Sequence, residues 1–274
     1  MRTSTDVLIV GAGPVGLMLA GELQCRGIDH VIIDQRPQPE YYCKALGVTP
    51  RTLEVWDQVG VLEDALRVGL FTDGVTGAVN GVDTGTESTE LGSMPYGFFT
   101  LAQYDTERIL RRHLQRHGGR VEQGFALQEF EASGDTVRAR LGSALHGGHT
   151  VEARYIVGCD GAHSAVRKGM GLEYEGDAYP MTFMLGDVRV HWDRPRPYAY
   201  RFTLTGEGAL QNVLVCIAIP GDPQRYRVSM AAPPEYWDEA ADLNIPPTLE
   251  QLREAVAPIL PAGATISDLR WSSF

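Results

Sequence analysis

Residues 6–34 read DVLIV, GAGPVG, LMLAGELQCRGID and HVIID, and they decide the fold of this chain. The apolar run Asp6–Val10 predicts a buried strand, and the run His30–Asp34 predicts a second one. Between them a glycine-rich turn opens a helix over residues 14–26, which Gly27 ends. A strand, a helix and a strand joined by short loops form a βαβ unit. We therefore predict a parallel sheet with a right-handed crossover.

The turn of this unit has the spacing of a dinucleotide-binding fingerprint, G-x-G-x-x-G. Gly11 permits the tight turn, Gly13 lets the backbone approach a pyrophosphate, and Gly16 lets the helix pack closely on the strand. The amino end of the helix carries roughly half a positive charge, which favours phosphate groups. Asp34 ends the second strand, where a carboxylate accepts hydrogen bonds from ribose hydroxyls. The pattern predicts dinucleotide binding.

The carboxylate of Asp34 also restricts which dinucleotide fits. A 2′-phosphate about 4 Å from it would be repelled by roughly 4 kcal/mol at an effective dielectric constant of about 20. NADP is therefore not expected at this turn. On the fingerprint alone, FAD and NAD both stay open.

Composition and charge exclude several classes of protein. The chain has 274 residues and a formal net charge of -11, whereas a nucleic-acid-binding protein usually presents a basic face. No nucleic-acid partner is therefore expected. The apolar run over residues 7–20 is short and broken by glycine and proline, so no membrane association is expected either. The four cysteines stand far apart without a C-x-x-C pair, which is typical of a protein of the reducing cytoplasm.

The pattern of predicted elements changes along the chain. Up to about Glu175 strands alternate with helices, and His146–His149 mark a hairpin turn. Beyond that point strands dominate, with one helix over residues 248–257. We predict an α/β protein in which a Rossmann-like βαβ domain is joined to a mostly antiparallel β-sheet domain. The predicted domains are residues 1–73 with 103–176, and residues 74–102 with 177–274.

An amphipathic helix begins at Asp105, which we predict to be its N-cap. Ile109 and Leu114 belong to its apolar face. His113 and His117 lie four residues apart on this helix, a spacing that can bind a metal ion. Because there is no H-E-x-x-H pattern and no evident third ligand, we expect a solvated flank and no metal site.

Three further segments resemble a known family of flavoproteins. DGAHSAVRK at residues 160–168 resembles the D-G-x-x-S-x-V-R signature of the class A flavoprotein monooxygenases, which are single-component aromatic hydroxylases. ALGVTPRTLE at residues 45–54 and LAQYDTE at residues 101–107 are similar to two other stretches of that family. The resemblance runs in the correct order to about Gly171 and continues more weakly through the later sheet region. Within the family, the chain is most similar to hydroxylases of aromatic polyketides and phenols.

This resemblance implies a flavin site. It implies FAD as the cofactor, NAD(P)H and O₂ as co-substrates, and an aromatic polyketide or phenol as the small-molecule substrate. Lys44 and Gln103 fall where the family has residues near the flavin. Asp160 would bond the ribityl or ribose region, and Arg167 would brace that loop and meet NADPH. The flavin supplies the difficult chemistry, so no catalytic residue is assigned. The full set of implied cofactor-binding residues is Gly11, Gly13, Pro14, Val15, Gly16, Asp34, Gln35, Lys44, Gln103, Asp160 and Arg167.

The chain departs from the family pattern in two places. Gln35 stands where the family usually has a basic residue, and Arg36 follows it. A later glycine–aspartate motif similar to G-D-A-A-H is missing, and Leu269–Phe274 resembles only the lead-in to it. We therefore expect the N-terminal portion of a longer FAD-dependent aromatic hydroxylase. Alone, it is expected to bind FAD weakly or not at all and to hydroxylate nothing.

Two other interpretations stay open from the sequence. An NAD-linked dehydrogenase would use the same fingerprint, but it leaves the segment at Asp160 unexplained. A non-catalytic protein or a subunit of a split enzyme would be completed by a C-terminal partner segment. A homo-oligomer also stays open.

Overall fold

The structure is a computed structural model and describes residues 2–40, 43–88, 92, 96–145, 147–177, 181–196, 198–206, 209–236 and 242–274. The predicted hairpin residue His146 lies outside the described residues. The chain forms two compact units. The first unit comprises Met1–Tyr42, Val59–Asp64 and Gln103–Gly176, and the second comprises Cys43–Gln58, Ala65–Ala102 and Asp177–Phe274.

The helices and strands of the described residues follow in chain order. They are β1 (Ser4–Val10), α1 (Pro14–Cys25), β2 (His30–Asp34), β3 (Gly47–Val48), α2 (Pro50–Gln58), α3 (Leu62–Leu66), β4 (Leu70–Phe71), β5 (Gly74–Val79), β6 (Val82–Ser88), β7 (Phe99–Thr100), α4 (Gln103–Arg116), β8 (Val121–Gln123), β9 (Ala126–Ser133), β10 (Thr136–Gly142), β11 (His149–Gly158), α5 (Ala165–Gly169), β12 (Phe183–His191), β13 (Tyr198–Gly206), β14 (Ala209–Ala218), β15 (Arg225–Ala231), α6 (Leu249–Val256) and β16 (Thr265–Ser273).

The first unit is built on a six-stranded sheet in the order β8-β2-β1-β11-β10-β9. β1 pairs in parallel with β2 on one side and with β11 on the other, and β9 and β10 continue the sheet as antiparallel strands. The predicted βαβ crossover is confirmed. Leu8, Ile9, Ile32 and Ile33 are fully buried, because strands of a parallel sheet are covered on both faces.

Two helices of the first unit, α1 and α4, pack against each other. α1 has proline at its first position, where the fixed φ suits a helix and the missing N–H costs nothing. It ends at Cys25, and Gly27 reverses the chain at φ 67°. α4 begins at Gln103, so Asp105 lies in its first turn and pairs with Arg108 at 2.6 Å. The predicted N-cap at Asp105 is wrong, because an acidic residue stabilises the first turn as well as the cap.

The second unit is built on a seven-stranded sheet in the order β16-β12-β15-β14-β13-β5-β6. Its neighbouring strands are antiparallel except for β13 and β5, which pair in parallel. The short strands β3, β7 and β4 form a separate antiparallel sheet in the same unit. The predicted fold class is confirmed: an α/β unit with a parallel sheet core and a second, mostly antiparallel sheet.

The two faces of the large sheet have different environments. One face is a closed core that includes Met184, Tyr200 and Leu214, all fully buried, and Leu252 of α6 packs with them. A capping box formed by Thr248 and Gln251 fixes the start of α6. The alternate residues of the strands point to the opposite face. We call this the half-buried face and define it by Phe183, Leu185, Val213, Val215 and Ile217, of which Phe183 is 50% exposed and the other four are partly buried.

None of the helices in the described part of the chain combines the length and the apolar composition needed to cross a membrane.

Candidate functional site

Three loops of the first unit leave the same edge of its sheet, at the carboxyl ends of β2, β1 and β11. Gly11 donates from its backbone to the Ile33 carbonyl at 2.9 Å, and Cys159 donates to the Val10 carbonyl at 2.7 Å. The chain runs from β1 to β2 on one side of β1 and later reaches β11 on the other side, so this edge is the switch point at which open α/β sheets bind ligands. The structure thus brings the glycine turn and the Asp160 loop together, as the sequence analysis expects.

Glycine is required at positions 11 and 16 because backbone atoms of neighbouring residues lie too close for a side chain. Gly11 has φ 100°, and a Cβ there would lie 2.4 Å from the Cys159 carbonyl oxygen. A Cβ on Gly16 would lie 1.9 Å from the Gly11 carbonyl oxygen. No L side chain fits either place without moving the backbone. These two glycines therefore hold the turn against the start of α1 and against the segment that follows β11.

Gly13 has a different environment. A Cβ placed on it would meet no atom within 4 Å, so the space beside the turn is open. Gly13 is the N-cap of α1, Pro14 follows at the first helical position, and Val15 is 70% exposed. No side chain caps the helix, so the amino-terminal N–H groups and their partial positive charge face this open space. The arrangement suits a bound anion.

Asp34 is buried at the end of β2 and accepts four hydrogen bonds. The donors are the backbone of Ala12 at 2.9 Å, the backbone of Arg36 at 2.9 Å, and the Arg36 guanidinium through Nε at 3.0 Å and Nη2 at 2.9 Å. Burial alone would raise the pKa of Asp34, but the bonds from Arg36 and Ala12 outweigh it and hold that pKa below its ordinary value. Asp34 is therefore an ionised carboxylate tied to the glycine turn.

Arg36 was not among the predicted site residues. Its carbonyl accepts the backbone N–H of Gly124 at 3.0 Å and the Gln123 amide at 3.2 Å, so the segment after β2 is anchored to the end of β8. The sequence offered one signal, a basic residue two positions after the ribose carboxylate. Gln35, the predicted site residue between them, has an exposed side chain.

Asp160 closes its own loop. Its Oδ1 accepts the Ser164 hydroxyl at 2.6 Å, and its Oδ2 accepts the backbone N–H groups of Ala165 at 2.6 Å and Val166 at 3.3 Å. A carboxylate offers about four lone-pair sites, so about one remains for a ligand. Ser164 in turn caps α5 by accepting the N–H of Arg167 at 3.0 Å. The D-G-x-x-S segment is therefore a self-supporting turn, and the flavin contact of Asp160 stays a prediction.

Arg167 braces the same loop through its side chain. Its Nη1 donates to the Ala162 carbonyl at 2.7 Å, and its guanidinium lies 5.1 Å from the centre of the Tyr174 ring. Its Nε is buried and has no hydrogen-bond partner among the described residues. The bracing geometry matches the expected role, whereas contact with NADPH stays a prediction.

Gln103 and Glu107 form a pair on the first turns of α4. The Gln103 amide donates to Glu107 Oε1 at 2.9 Å. Glu107 is only 4% exposed, and its Oε2 is buried without a hydrogen bond to any described residue. The segment LAQYDTE thus forms a glutamine–glutamate pair in which Glu107 is buried and Gln103 is half-buried. Whether Gln103 also contacts flavin stays a prediction.

In the second unit, a buried ion pair anchors the backbone at Lys44. Arg227 donates to Asp187 through Nε at 2.8 Å and Nη2 at 2.9 Å. The same guanidinium donates to the carbonyls of Cys43 and Lys44, the latter at 2.9 Å, and lies 4.7 Å from the centre of the Trp271 ring. Lys44 itself is exposed. The predicted flavin-side lysine is therefore presented by a segment that Arg227 fixes.

A second buried arginine lies on the same strand. Arg225 is 1% exposed, and its Nη2 donates to Asp268 Oδ2 at 2.5 Å. Asp268 has φ 51°, a left-handed conformation that aspartate tolerates better than most residues. Asp187, Arg225 and Arg227 were not among the residues predicted from the sequence. The available signal was the alternation R-Y-R-V-S in β15, which puts two arginines on one face of a strand inside a buried sheet.

The predicted solvated flank of α4 is wrong for His113. His113 is 6% exposed and packs on Gly21, where an added Cβ would lie 3.0 Å from the ring. Its Nε2 lies 3.7 Å from the Sγ of Cys25, and its ring centre lies 4.8 Å from that of His117. The third side chain comes from α1, so it could not be recognised by spacing along α4.

Comparisons with known proteins cover most of the chain. The profile of the family described as FAD binding domain matches residues 4–233. The 12-dehydrotetracycline 5-monooxygenase/anhydrotetracycline 6-monooxygenase of Streptomyces rimosus is 32% identical, over 98% of this chain and 52% of its own length. The chain spans about half the length of the curated relatives that it matches first.

Solved structures show the same extent of similarity. The OxyS anhydrotetracycline hydroxylase from Streptomyces rimosus matches with a TM-score of 0.73 and 30% identity, covering 98% of this chain and 51% of that one. A ternary complex of aklavinone-11 hydroxylase with FAD and aklavinone matches with a TM-score of 0.76 and 25% identity, covering 99% and 54%. These matches extend over both compact units.

Proposed function

Because the chain belongs to the FAD binding domain family, within the class A flavoprotein monooxygenases, we propose that it binds FAD and an aromatic substrate as part of an aromatic hydroxylase. The family membership confirms the predicted resemblance and FAD as the cofactor of the family. The observation that carries the proposal is the convergence of the glycine turn, Asp34 and the Asp160 loop on one edge of a parallel sheet.

The residues at this edge fit the adenosine and pyrophosphate part of FAD. The pyrophosphate would occupy the open space beside Gly13, against the amino end of α1. Asp34 would accept a hydrogen bond from a ribose hydroxyl. Since its four lone-pair sites are occupied, that hydroxyl takes the place of one bond from the Arg36 side chain. FAD, when bound, supplies electron transfer from NAD(P)H and the activation of O₂.

Competition between nucleotides tests this proposal. We expect FAD, although the chain alone binds it weakly, to compete with ADP for the purified chain, and FMN, which lacks the adenosine, not to displace either of them. Isothermal titration calorimetry with each nucleotide measures this. FMN binding as tightly as FAD, or NAD binding in preference to FAD, would contradict the proposed site, and the latter would favour the dehydrogenase interpretation.

A pair of glycine variants provides the matched control. Gly13→Ala has room for its methyl group and an ordinary φ, so it is expected to fold. The methyl group fills the space proposed for the pyrophosphate, and FAD affinity should fall at least about tenfold, or about 1.4 kcal/mol. Gly148→Ala adds the same group at an exposed position of the same unit and should leave FAD affinity unchanged.

For the substrate we propose an aromatic polyketide or phenol, held on the half-buried face of the large sheet. The opposite face is the closed core, whose side chains pack against one another and against α6. The half-buried face presents Leu185, Val213 and Val215, with Ser229 between β12 and β14. Partly buried apolar side chains with a few polar groups are the usual lining of a small-molecule site.

Binding of anhydrotetracycline, the compound named for a relative, tests the substrate face. Val215→Phe places a larger side chain on it and should weaken binding of this probe at least about tenfold. Val82→Phe makes the same change at an exposed position of β6 and should have no effect. Equal binding by both variants and the parent chain would exclude this face. NADPH consumption with and without the probe then measures whether hydroxylation accompanies binding.

We propose that the protein is located in the cytoplasm. None of the four cysteines, all of which lie in the described part of the chain, forms a disulfide, which supports a reducing compartment. The same binding experiments also test whether a partner segment or a second copy of the chain completes the FAD site.

A further inference from the structure

Cys25, His113 and His117 form a cluster of metal-binding side chains in the first unit, away from the carboxyl edge of its sheet. One ligand atom from each, the Sγ of Cys25 and a ring nitrogen of each histidine, lie within 4.8 Å of one another. Cys25 ends α1, and the two histidines lie one turn apart near the end of α4. From this geometry we propose that the three side chains bind one zinc ion.

The distances fit a tetrahedral zinc centre. Zinc lies about 2.3 Å from a thiolate sulfur and about 2.0 Å from an imidazole nitrogen, so sulfur and nitrogen ligands sit about 3.6 Å apart. Sγ of Cys25 and Nε2 of His113 are already 3.7 Å apart. The remaining separations must shorten by about 1 Å or a little more, which side-chain rotation of the exposed Cys25 and His117 allows.

The position of each ligand is fixed by the surrounding packing. Gly21 leaves room for the His113 ring to lie against α1, since any side chain there would strike the ring. The Gln24 side chain donates to the carbonyl of His117 at 2.9 Å, which ties the end of α4 to the residue before Cys25. Because these contacts hold α1 and α4 together, the three ligand side chains lie near one another without a bound metal ion.

Zinc is coordinated by a thiolate and by neutral imidazoles, which are the species that Cys25, His113 and His117 would supply. Cys25 and His117 are exposed, whereas His113 is buried. The exposed side of the cluster leaves the fourth coordination position to water.

The set of donors favours zinc over hard cations. Thiolate and imidazole select zinc and its chemical relatives, whereas calcium and magnesium prefer oxygen ligands. Zinc bound here would join the carboxyl end of α1 to α4 and so brace the helix whose amino end forms the glycine turn.

Cobalt(II) is the spectroscopic probe for this site. The chain, prepared without a polyhistidine tag and treated with a chelator, is titrated with Co²⁺ and then with Zn²⁺. We expect a thiolate-to-cobalt charge-transfer band and the intense visible bands of a tetrahedral centre, both abolished by one equivalent of zinc. A spectrum of six-coordinate cobalt without the thiolate band would overturn the proposal.

Two ligand variants and one control complete the test. Cys25→Ser and His117→Asn change exposed side chains, so both are expected to fold, and each should weaken zinc binding at least about tenfold. His191→Asn removes an exposed histidine of the second unit and should bind zinc as the parent chain does. Zinc should raise the unfolding temperature of the parent and of His191→Asn, but not that of Cys25→Ser. A charge-transfer band that persists in Cys25→Ser would also overturn the proposal.

Discussion

The two compact units build their candidate sites from different parts of the polypeptide. At the sheet edge of the first unit, the candidate site is formed mainly by backbone groups. Gly11 and Gly16 lie against neighbouring backbone carbonyls, and no side chain caps the amino end of α1. In the second unit the corresponding role falls to side chains, where Arg227 and Asp187 hold the backbone at Lys44 from inside the sheet. One site depends on the absence of side chains and the other on two that are buried and charged.

This difference has a consequence for how each site tolerates change. A backbone-built turn fails when an atom is added at Gly11 or Gly16, because no side-chain rotation relieves a clash between main-chain atoms. A site held by a buried ion pair fails when one partner is removed, because the other charge is left without compensation. Simultaneous replacement of both partners by apolar residues is often tolerated.

The largest effect is expected for Gly16→Ala. Its methyl group would lie 1.9 Å from the Gly11 carbonyl oxygen, so the turn and α1 must separate. We expect a loss of about 3 kcal/mol or more in the free energy of unfolding and no measurable FAD binding. Urea unfolding followed by circular dichroism measures the first effect, and calorimetry the second. Gly13→Ala is the control, since it should keep the stability and lose only FAD affinity.

The next effect concerns the ion pair of the second unit. Asp187→Leu leaves Arg227 buried and uncompensated and should cost about 3–5 kcal/mol. The double variant Asp187→Leu, Arg227→Met should recover most of that loss. Urea unfolding of both single variants and the double variant gives the coupling energy. A double variant as unstable as the sum of the single ones would mean that the pair acts as two independent groups.

Adjacent residues of β14 compare the two faces of the large sheet. Leu214→Ala empties a fully buried place on the core face and should cost about 2–5 kcal/mol. Val215→Ala, one position later on the half-buried face, should cost about 1 kcal/mol. Thermal and urea unfolding of both variants measure the difference. Similar costs would mean that the half-buried face is filled by protein and cannot accept a substrate.

The smallest effect is expected at Asp34. The pKa of this carboxylate is lower in the folded chain, so its contribution to stability is present above its ordinary value of 3.8 and is lost as the pH falls through the lowered value. Asp34→Asn should cost about 1–2 kcal/mol at pH 7. The difference from the parent should shrink in acid below about pH 4. Urea unfolding at a series of pH values checks this, and a constant difference would exclude the linkage.

The glycine turn was predictable from sequence because its physics is local. G-x-G-x-x-G, the preceding apolar strand and the carboxylate 18 residues after Gly16 lie within one βαβ unit, whose short loops leave few alternative arrangements. The role predicted for residues 160–168 at the flavin came only from the family resemblance, because their contact with the turn joins segments far apart in the chain. The crossover rule predicts β1 and β2 as parallel strands joined by a right-handed connection, but it does not predict the positions of β8, β9, β10 and β11.

The sites missed from sequence depend on partners far apart in the chain. Cys25 and His113 meet because α1 packs on α4, and no spacing rule along either helix predicts that contact. Asp187 and Arg227 face each other through the register of β12 and β15. A charged residue in a predicted strand is expected to face solvent unless the sheet is known to be buried on that side.

The hairpin of β5 and β6 has a consequence for synthesis of the protein. β5 finds its parallel neighbour only in β13, and the hydrogen bond from Asn80 to Thr205 spans 125 residues. On the ribosome, the hairpin therefore emerges long before the strand that completes its edge, and the segment Gln103–Gly176 of the first unit is made in between. During that interval the unpaired backbone groups of β5 can bind a chaperone or a neighbouring nascent chain. Slow codons before β13 would lengthen the time for which this edge is exposed.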